Sequence, residues 1–351
     1  MARLRRADCS GPGIRREKRG KGFTYLDDEG NRVAEPEVIS RIHELVIPPA
    51  WKDVWICPYP MGHIQATGVD DAGRKQYLYH PKWREQRDRQ KFDDMVAFAK
   101  DLPALRARAA EILESSDELS RERVLACAIR LLDHGFFRIG SEDYAVTNES
   151  YGLATMLKRH VKLEGEDSMV FDYRAKSGQR RIQGVVDPLS FAVVQRLKRR
   201  RGGGDELLAY KEGGRWRDVR SSDINAFLKE QTGGDHSAKD FRTWTATLLA
   251  AVALSVSGEV AATKTGRKRA ISRAVKEVSH YLGNTPAVCR ASYIDPRIID
   301  AYQGGVIIRP DAVDPGDPED PLPIHQRNVE RAVLRLLAGH ESGPGIEQIA
   351  A

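Results

Sequence analysis

Apolar and polar positions alternate along the first part of the chain and follow helical spacing over most of the rest. From Phe23 onward, short extended pieces are separated by turn signals: Phe23-Thr24-Tyr25-Leu26 before Asp27-Asp28-Glu29-Gly30, Val54-Trp55-Ile56 before Pro58, and His63-Ile64-Gln65-Ala66-Thr67 before Asp70-Asp71-Ala72-Gly73. In Arg74-Lys75-Gln76-Tyr77-Leu78-Tyr79-His80 the alternation sets Gln76, Leu78 and His80 on one strand face and Lys75, Tyr77 and Tyr79 on the other. Together these predict a small β-rich domain over residues 23–92. Upstream, Arg3, Arg5, Arg6, Arg15, Arg16, Lys18, Arg19 and Lys21 stand among Gly and Pro with few apolar neighbours, which predicts a flexible basic arm over residues 1–22.

Residues 82–100 are charged and read as a linker running into a helix, with the domain boundary near residue 92. Ser115-x-x-Glu118 resembles a capping box, and Leu119, Leu125, Ile129 and Leu132 form a helical apolar face that stops at Gly135. Met169-Val170-Phe171-Asp172-Tyr173, a turn through Ala175-Lys176-Ser177-Gly178, and a return through Arg181-Ile182-Gln183-Gly184-Val185 predict a hairpin with Lys176 at its tip. Arg199-Arg200-Arg201-Gly202-Gly203-Gly204 reads as a flexible basic loop, and Ser222 as the cap of a helix ending near Gly233-Gly234. The next helix carries Lys239 and Arg242, three apart on one side, into a run through Ser255 that is apolar nearly all round and so central to the core. Ile271, Val275, Val278 and Leu282 give the inner face of another helix. Beyond it, Asn284 tolerates the left-handed region and can end that helix, Thr285 and Pro286 can start a short one, and Asp295-Pro296 breaks it just after Tyr293. An acidic, Pro-rich segment over residues 311–323 and an amphipathic helix over 325–337 complete an expected α+β architecture: the β domain, a larger mainly helical domain over 93–310, and a tail over 311–351.

Composition narrows the partners. A net charge of +6, with charged residues at 30%, suits a protein that meets a polyanion. Cys9, Cys57, Cys127 and Cys289 are scattered without metal-ligand spacing, which predicts free thiols in a reducing compartment. No stretch is apolar enough to span a bilayer, and the basic N-terminus lacks an apolar signal core, so a cytoplasmic location is expected. A P-loop, a dinucleotide fingerprint, zinc-ligand spacing and an EF-hand loop are all absent from the sequence.

Phe137-Arg138-Ile139-Gly140 with Tyr144, the hairpin Lys176, Lys239-Asp240-Phe241-Arg242-Thr243, and Gly283-Asn284-Thr285-Pro286 with Tyr293 resemble, in this order, the type IB DNA topoisomerases of the poxvirus-like bacterial class. The resemblance runs from the 74–79 strand to Tyr293. It implies a catalytic domain of the tyrosine recombinase/type IB topoisomerase type. It also implies relaxation of supercoiled duplex DNA through a 3′-phosphotyrosyl intermediate, with no ATP, cofactor or obligatory metal. On this likeness Tyr293 is the nucleophile, Arg138 and Arg242 clamp the nonbridging oxygens, Lys176 protonates the departing 5′ oxygen, and Asn284 donates a hydrogen bond where many relatives carry histidine. Lys239 supports catalysis, Gln76, Tyr77 and Tyr79 face the major groove, and Tyr144 contacts DNA near the cut. The expected form is a monomer that clamps DNA in the nucleoid. A tyrosine recombinase shares the Arg, Lys, Arg and Tyr logic but usually has histidine where Lys239 stands, and a DNA-binding architectural protein that has lost the chemistry is a third reading.

Overall fold

Ile14–Arg19 (β1), Gly22–Leu26 (β2), Pro36–Glu44 (α1), Lys52–Ile56 (β3), Ile64–Val69 (β4) and Lys75–Tyr79 (β5) build the first part of the chain. The strands form an antiparallel five-stranded sheet in the order β2-β1-β3-β4-β5. Ile14, Ile42, Val54, Ile56 and Ala66 make its core, with Tyr25, Trp51 and Leu78 packed around them. The structure, a computed structural model, describes residues 3–116, 118–257, 263–309 and 327–349. It divides into two units, Met1–Lys91 and Phe92–Ala351.

Within the basic arm expected over residues 1–22, residues 14–19 form β1, which lies between β2 and β3 in the sheet. Arg16 is half-buried there, whereas Arg3, Arg5, Arg6, Arg15 and Arg19 are exposed. Arg16 donates to the carbonyls of Ile47, Pro48 and Trp51 at 3.3, 3.0 and 2.7 Å and lies 4.2 Å from the Phe23 ring centroid. Arg5 lies 3.4 Å from the Tyr59 ring centroid, and its main chain pairs with Met61 and His63. Main-chain pairing on both sides, one buried apolar residue, Ile14, and the half-buried Arg16 stem are enough to hold this segment in the sheet.

Pro81–Ser115 (α2) is one 35-residue helix, so the linker expected over residues 82–100 is helical too. Its early residues are charged and exposed, while Phe92, Met95, Phe98, Leu102, Leu105 and Ile112 are buried at helical spacing. Ser115 ends this helix and caps nothing; Ser120 caps Arg121–Gly135 (α3), accepting the Arg123 N–H at 3.2 Å. Glu142–Asn148 (α4) leads to Val161–Glu164 (β6), Ser168–Arg174 (β7) and Arg180–Val186 (β8), an antiparallel sheet in chain order. Pro188–Arg199 (α5) is followed by the basic loop. There Arg200 donates to the carbonyls of Leu197 and Leu207 at 3.0 and 2.8 Å, which pins the loop end expected to be flexible.

Ala209–Glu212 (β9) and Arg215–Asp218 (β10) form a hairpin before Ser221–Thr232 (α6). The start of α6 is held by Asp223, which accepts the Arg220 N–H at 2.9 Å, so Ser222 is not its cap. Ala238–Val256 (α7) is the central helix: Phe241, Trp244, Leu248 and Leu254 are buried. It packs against α3, α6, Lys264–Leu282 (α8), Pro296–Gln303 (α10) and Arg327–Leu337 (α11). Pro286–Ser292 (α9) joins α8 to α10, and Val306–Ile308 (β11) pairs antiparallel with Ile346–Gln348 (β12). The acidic segment over residues 311–323 lies outside the described residues.

Candidate active site

The site is assembled at the carboxyl end of α8. Gly283, at φ 61°, turns the chain out of the helix, so the left-handed role expected of Asn284 belongs to its neighbour, and Asn284 follows with its N–H on the Ser279 carbonyl at 3.0 Å. The last carbonyls of a helix lack intrahelical partners and carry the negative end of its dipole. Here they collect guanidinium groups. Arg181 donates to His280 O at 2.9 Å and to Tyr281 O, Arg242 to Leu282 O at 2.9 Å, and Arg138 to Gly283 O at 2.9 Å.

Each arginine comes from a different element. Arg242, in α7, is 5% exposed and also donates to Phe136 O at 2.6 Å; its buried Nε has no partner among the described residues. Burial, with the nearby Arg138 charge, pulls its pKa down to about 10, which leaves it protonated at neutral pH. Arg138 stands in the loop after α3, which Phe136 ends at φ 53°. That loop is fixed by main-chain bonds from Leu153 N to Arg138 O and from Ala154 N to Ile139 O, both 2.8 Å. Arg138 Nη2 also donates to Asn284 Oδ1, and the buried Asn284 Nδ2 has no partner among the described residues.

Tyr293 sits one residue past α9, whose start is capped as expected: Thr285 accepts the Val288 N–H at 3.3 Å and Pro286 takes the first position. Its N–H bonds Cys289 O at 3.0 Å. Thr247 Oγ1 of α7 accepts the Asp295 N–H at 3.2 Å and lies 3.3 Å from the Tyr293 carbonyl oxygen. One helix thus supplies Arg242 and fixes the backbone of the tyrosine beside it. The half-buried Tyr293 ring centroid lies 5.3 Å from Arg242 Cζ. Burial by itself would push the phenol up, but Arg242, Arg138 and Lys239 outweigh it and hold the phenol below its ordinary value.

Arg138, Arg242, Asn284 and Tyr293 are therefore brought together, with Lys239 exposed in the first turn of α7 and near enough to act on the phenol. Lys176 stands apart from them in contact terms. It is exposed on a short turn, Lys176–Gly178, between β7 and β8, and makes no hydrogen bond or ion pair among the described residues. Tyr77 and Tyr79 are exposed on one face of β5 with ring centroids 6.0 Å apart, and Lys75 Nζ lies 5.7 Å from the Tyr77 ring centroid. Gln76 lies on the opposite face, donating to Asp70 Oδ2 at 2.9 Å, so it does not share a face with the tyrosines. Tyr144 belongs to α4, and its side chain lies outside the described residues. Arg181 and Thr247 were not singled out by sequence reasoning. Arg181 enters the sequence reading only as the first residue of the returning strand; its neighbour Arg180 pairs with Asp172 at 2.8 Å.

Residues 80–304 match the family model of the eukaryotic DNA topoisomerase I catalytic core, and residues 22–70 match that of the bacterial DNA topoisomerase IB N-terminal domain. The chain is 31% identical over 299 residues to a protein of Acanthamoeba polyphaga mimivirus named DNA topoisomerase 1B, covering 83% of this chain and 88% of that protein.

Proposed function

We propose that this chain, which belongs to the type IB DNA topoisomerase family, relaxes supercoiled duplex DNA by cutting one strand with Tyr293 and resealing it. The phenolic oxygen of Tyr293 attacks a backbone phosphorus. The new oxygen–phosphorus bond forms as the bond to the 5′ oxygen breaks, the phenolic proton passes to solvent, and the Lys176 ammonium gives its proton to the departing oxygen. The nicked duplex swivels, and attack by the 5′ hydroxyl reverses the exchange. One phosphoester replaces another, so the cycle needs no ATP.

Arg138 and Arg242 hold the nonbridging oxygens with permanent charge and directional donors as negative charge shifts in the transition state. The observation that carries this reading is a pair of buried donors with no partner among the described residues, Arg242 Nε and Asn284 Nδ2, beside a phenol held below its ordinary pKa. Leaving such donors unpaired is costly, and a phosphate supplies the acceptors they lack. Tyr77, Tyr79 and Lys75 on the small sheet offer aromatic and cationic contacts to the same duplex, which a monomer clamps.

A supercoiled-plasmid assay in EDTA without ATP tests the reading. The wild type relaxes the plasmid, and Tyr293→Phe binds DNA without relaxing it. Relaxation by the phenylalanine variant at the wild-type rate would remove Tyr293 from the chemistry.

A further inference from the structure

The β7–β8 hairpin offers Lys176 at its tip and is tied to the site close to that tip. Arg181, on β8, pairs in register with Tyr173. Its guanidinium takes two successive carbonyls at the end of α8, His280 O at 2.9 Å and Tyr281 O, immediately before Gly283 and Asn284. Gly283 makes room for it, since a Cβ there would stand 3.0 Å from Arg181 Nη1. Gln183, two residues on and therefore on the same strand face, donates to Gly135 O, three residues before Arg138, and accepts the Tyr173 hydroxyl at 2.8 Å. The tip half of the hairpin is thus fastened to both segments that carry the proposed phosphate-binding groups. Arg180, by contrast, pairs with a carboxylate of its own hairpin, Asp172, at 2.8 Å.

We propose that Arg181 is a positioning residue: by clamping the last turn of α8 it sets where the hairpin tip, and with it the Lys176 ammonium, meets the phosphodiester held by Arg138 and Asn284. This rests on the reading of Lys176 as the proton donor. The planar fork of an arginine spans two neighbouring carbonyls with fixed geometry, whereas a lysine offers a single point charge. Misplacing a catalytic group by about 1 Å costs on the order of a hundredfold in rate.

The test is single-turnover cleavage of two duplex oligonucleotides that differ at one atom. One carries an ordinary phosphodiester, and the other carries sulfur at the 5′ bridging position, where the phosphorus–sulfur bond breaks to a thiolate that needs no proton. Arg181→Met is expected to slow the ordinary substrate by roughly thirty- to a hundredfold, to leave the sulfur substrate within about threefold of wild type, and to match the pattern of Lys176→Ala. Arg181→Lys, which keeps the charge and the stem, is expected to show the same selective defect in weaker form. Equal loss on both substrates in the lysine variant would overturn the inference, and that variant decides the matter if the methionine variant does not fold. If Lys176→Ala itself loses rate equally on both substrates, the reading of Lys176 as the acid falls and the inference falls with it. If Lys176→Ala is selective and neither Arg181 variant is, only the role of Arg181 is rejected.

Discussion

A phenol at its ordinary pKa of about 10 is a poor nucleophile near neutrality, and Tyr293 feels two opposed influences. Burial favours the neutral form; Arg242, Arg138 and Lys239 favour the phenolate and prevail. A lowered pKa means more phenolate at any pH below it, so single-turnover cleavage should climb with pH and level off before a free tyrosine would. Ultraviolet difference titration of wild type against Tyr293→Phe should find one tyrosine ionising early. Arg242→Gln should move that ionisation upward, and an unshifted titration would contradict the account. Asn284 lends itself to a second measurement. Asn284→Ala should lower the cleavage rate by about ten- to a hundredfold, and the wild-type profile should contain no inflection from an imidazole at this place; a rate that tracks His280 would oppose this. Arg138, Arg242, Asn284 and Tyr293 were legible through the resemblance of the ordered motifs around them to the type IB topoisomerases, since the local caps and breaks alone do not single them out. Arg181 was not, because its partners lie 99 and 100 residues away and are backbone carbonyls, which leave no side-chain signature.

At the level of elements, the loop that presents Arg138 depends on a contact no side chain can enter. A Cβ on Gly152 would stand 2.4 Å from Gly140 Cα and 2.6 Å from Arg138 O, both backbone atoms. Gly152→Ala must therefore push the loop away from its main-chain partners. Cleavage should fall by about tenfold or more while the β-sheet of the small unit stays folded, which amide exchange of the two units would read separately. Unchanged cleavage would mean the loop tolerates the shift. The apolar stripe of α8 and the β7–β8 hairpin were evident from periodicity, and α7 from a long run that is apolar nearly all round. Their ends were less so: Ser115 and Ser222 are as good caps in composition as Ser120, and only the tertiary course of the chain selects among them.

For the molecule as a whole, electrostatics acts in two ways. The net charge of +6 and the phosphate-seeking arginines predict that DNA affinity falls steeply with salt, with a logarithmic slope near −0.9 for each phosphate neutralised; an affinity insensitive to salt would refute this. Inside the large unit, Arg106 bonds Asp133 at 2.7 Å and Glu330 at 2.8 Å, with Asp133 and Glu330 side chains only 5% and 7% exposed. Burial disfavours the Arg106 charge, yet the two carboxylates raise its pKa on balance. This triad joins α2, α3 and α11, and breaking such a buried pair costs about 3 kcal/mol. Glu330→Ala should lower unfolding stability by that order in a denaturant titration, without changing the sulfur-substrate cleavage rate measured at low denaturant. Membership of the β domain was partly hidden in the sequence because residues 14–19 enter the sheet through main-chain pairing, with Ile14 alone buried in its core, and pairing of an otherwise charged strand is a feature that hydropathy does not register.

The carboxyl end of α8 has a consequence for how the enzyme meets its substrate. Among the described residues, the groups that hold Arg138, Arg181 and Arg242 are carbonyls, an amide oxygen and the Tyr293 and Tyr173 hydroxyls, with no carboxylate among them. The cations are steadied by neutral dipoles, so their formal charge is not cancelled by an internal anion. On the proposed reading, a phosphate held by these arginines would have no resident counterion to evict, so docking and cutting would need no exchange of ion pairs.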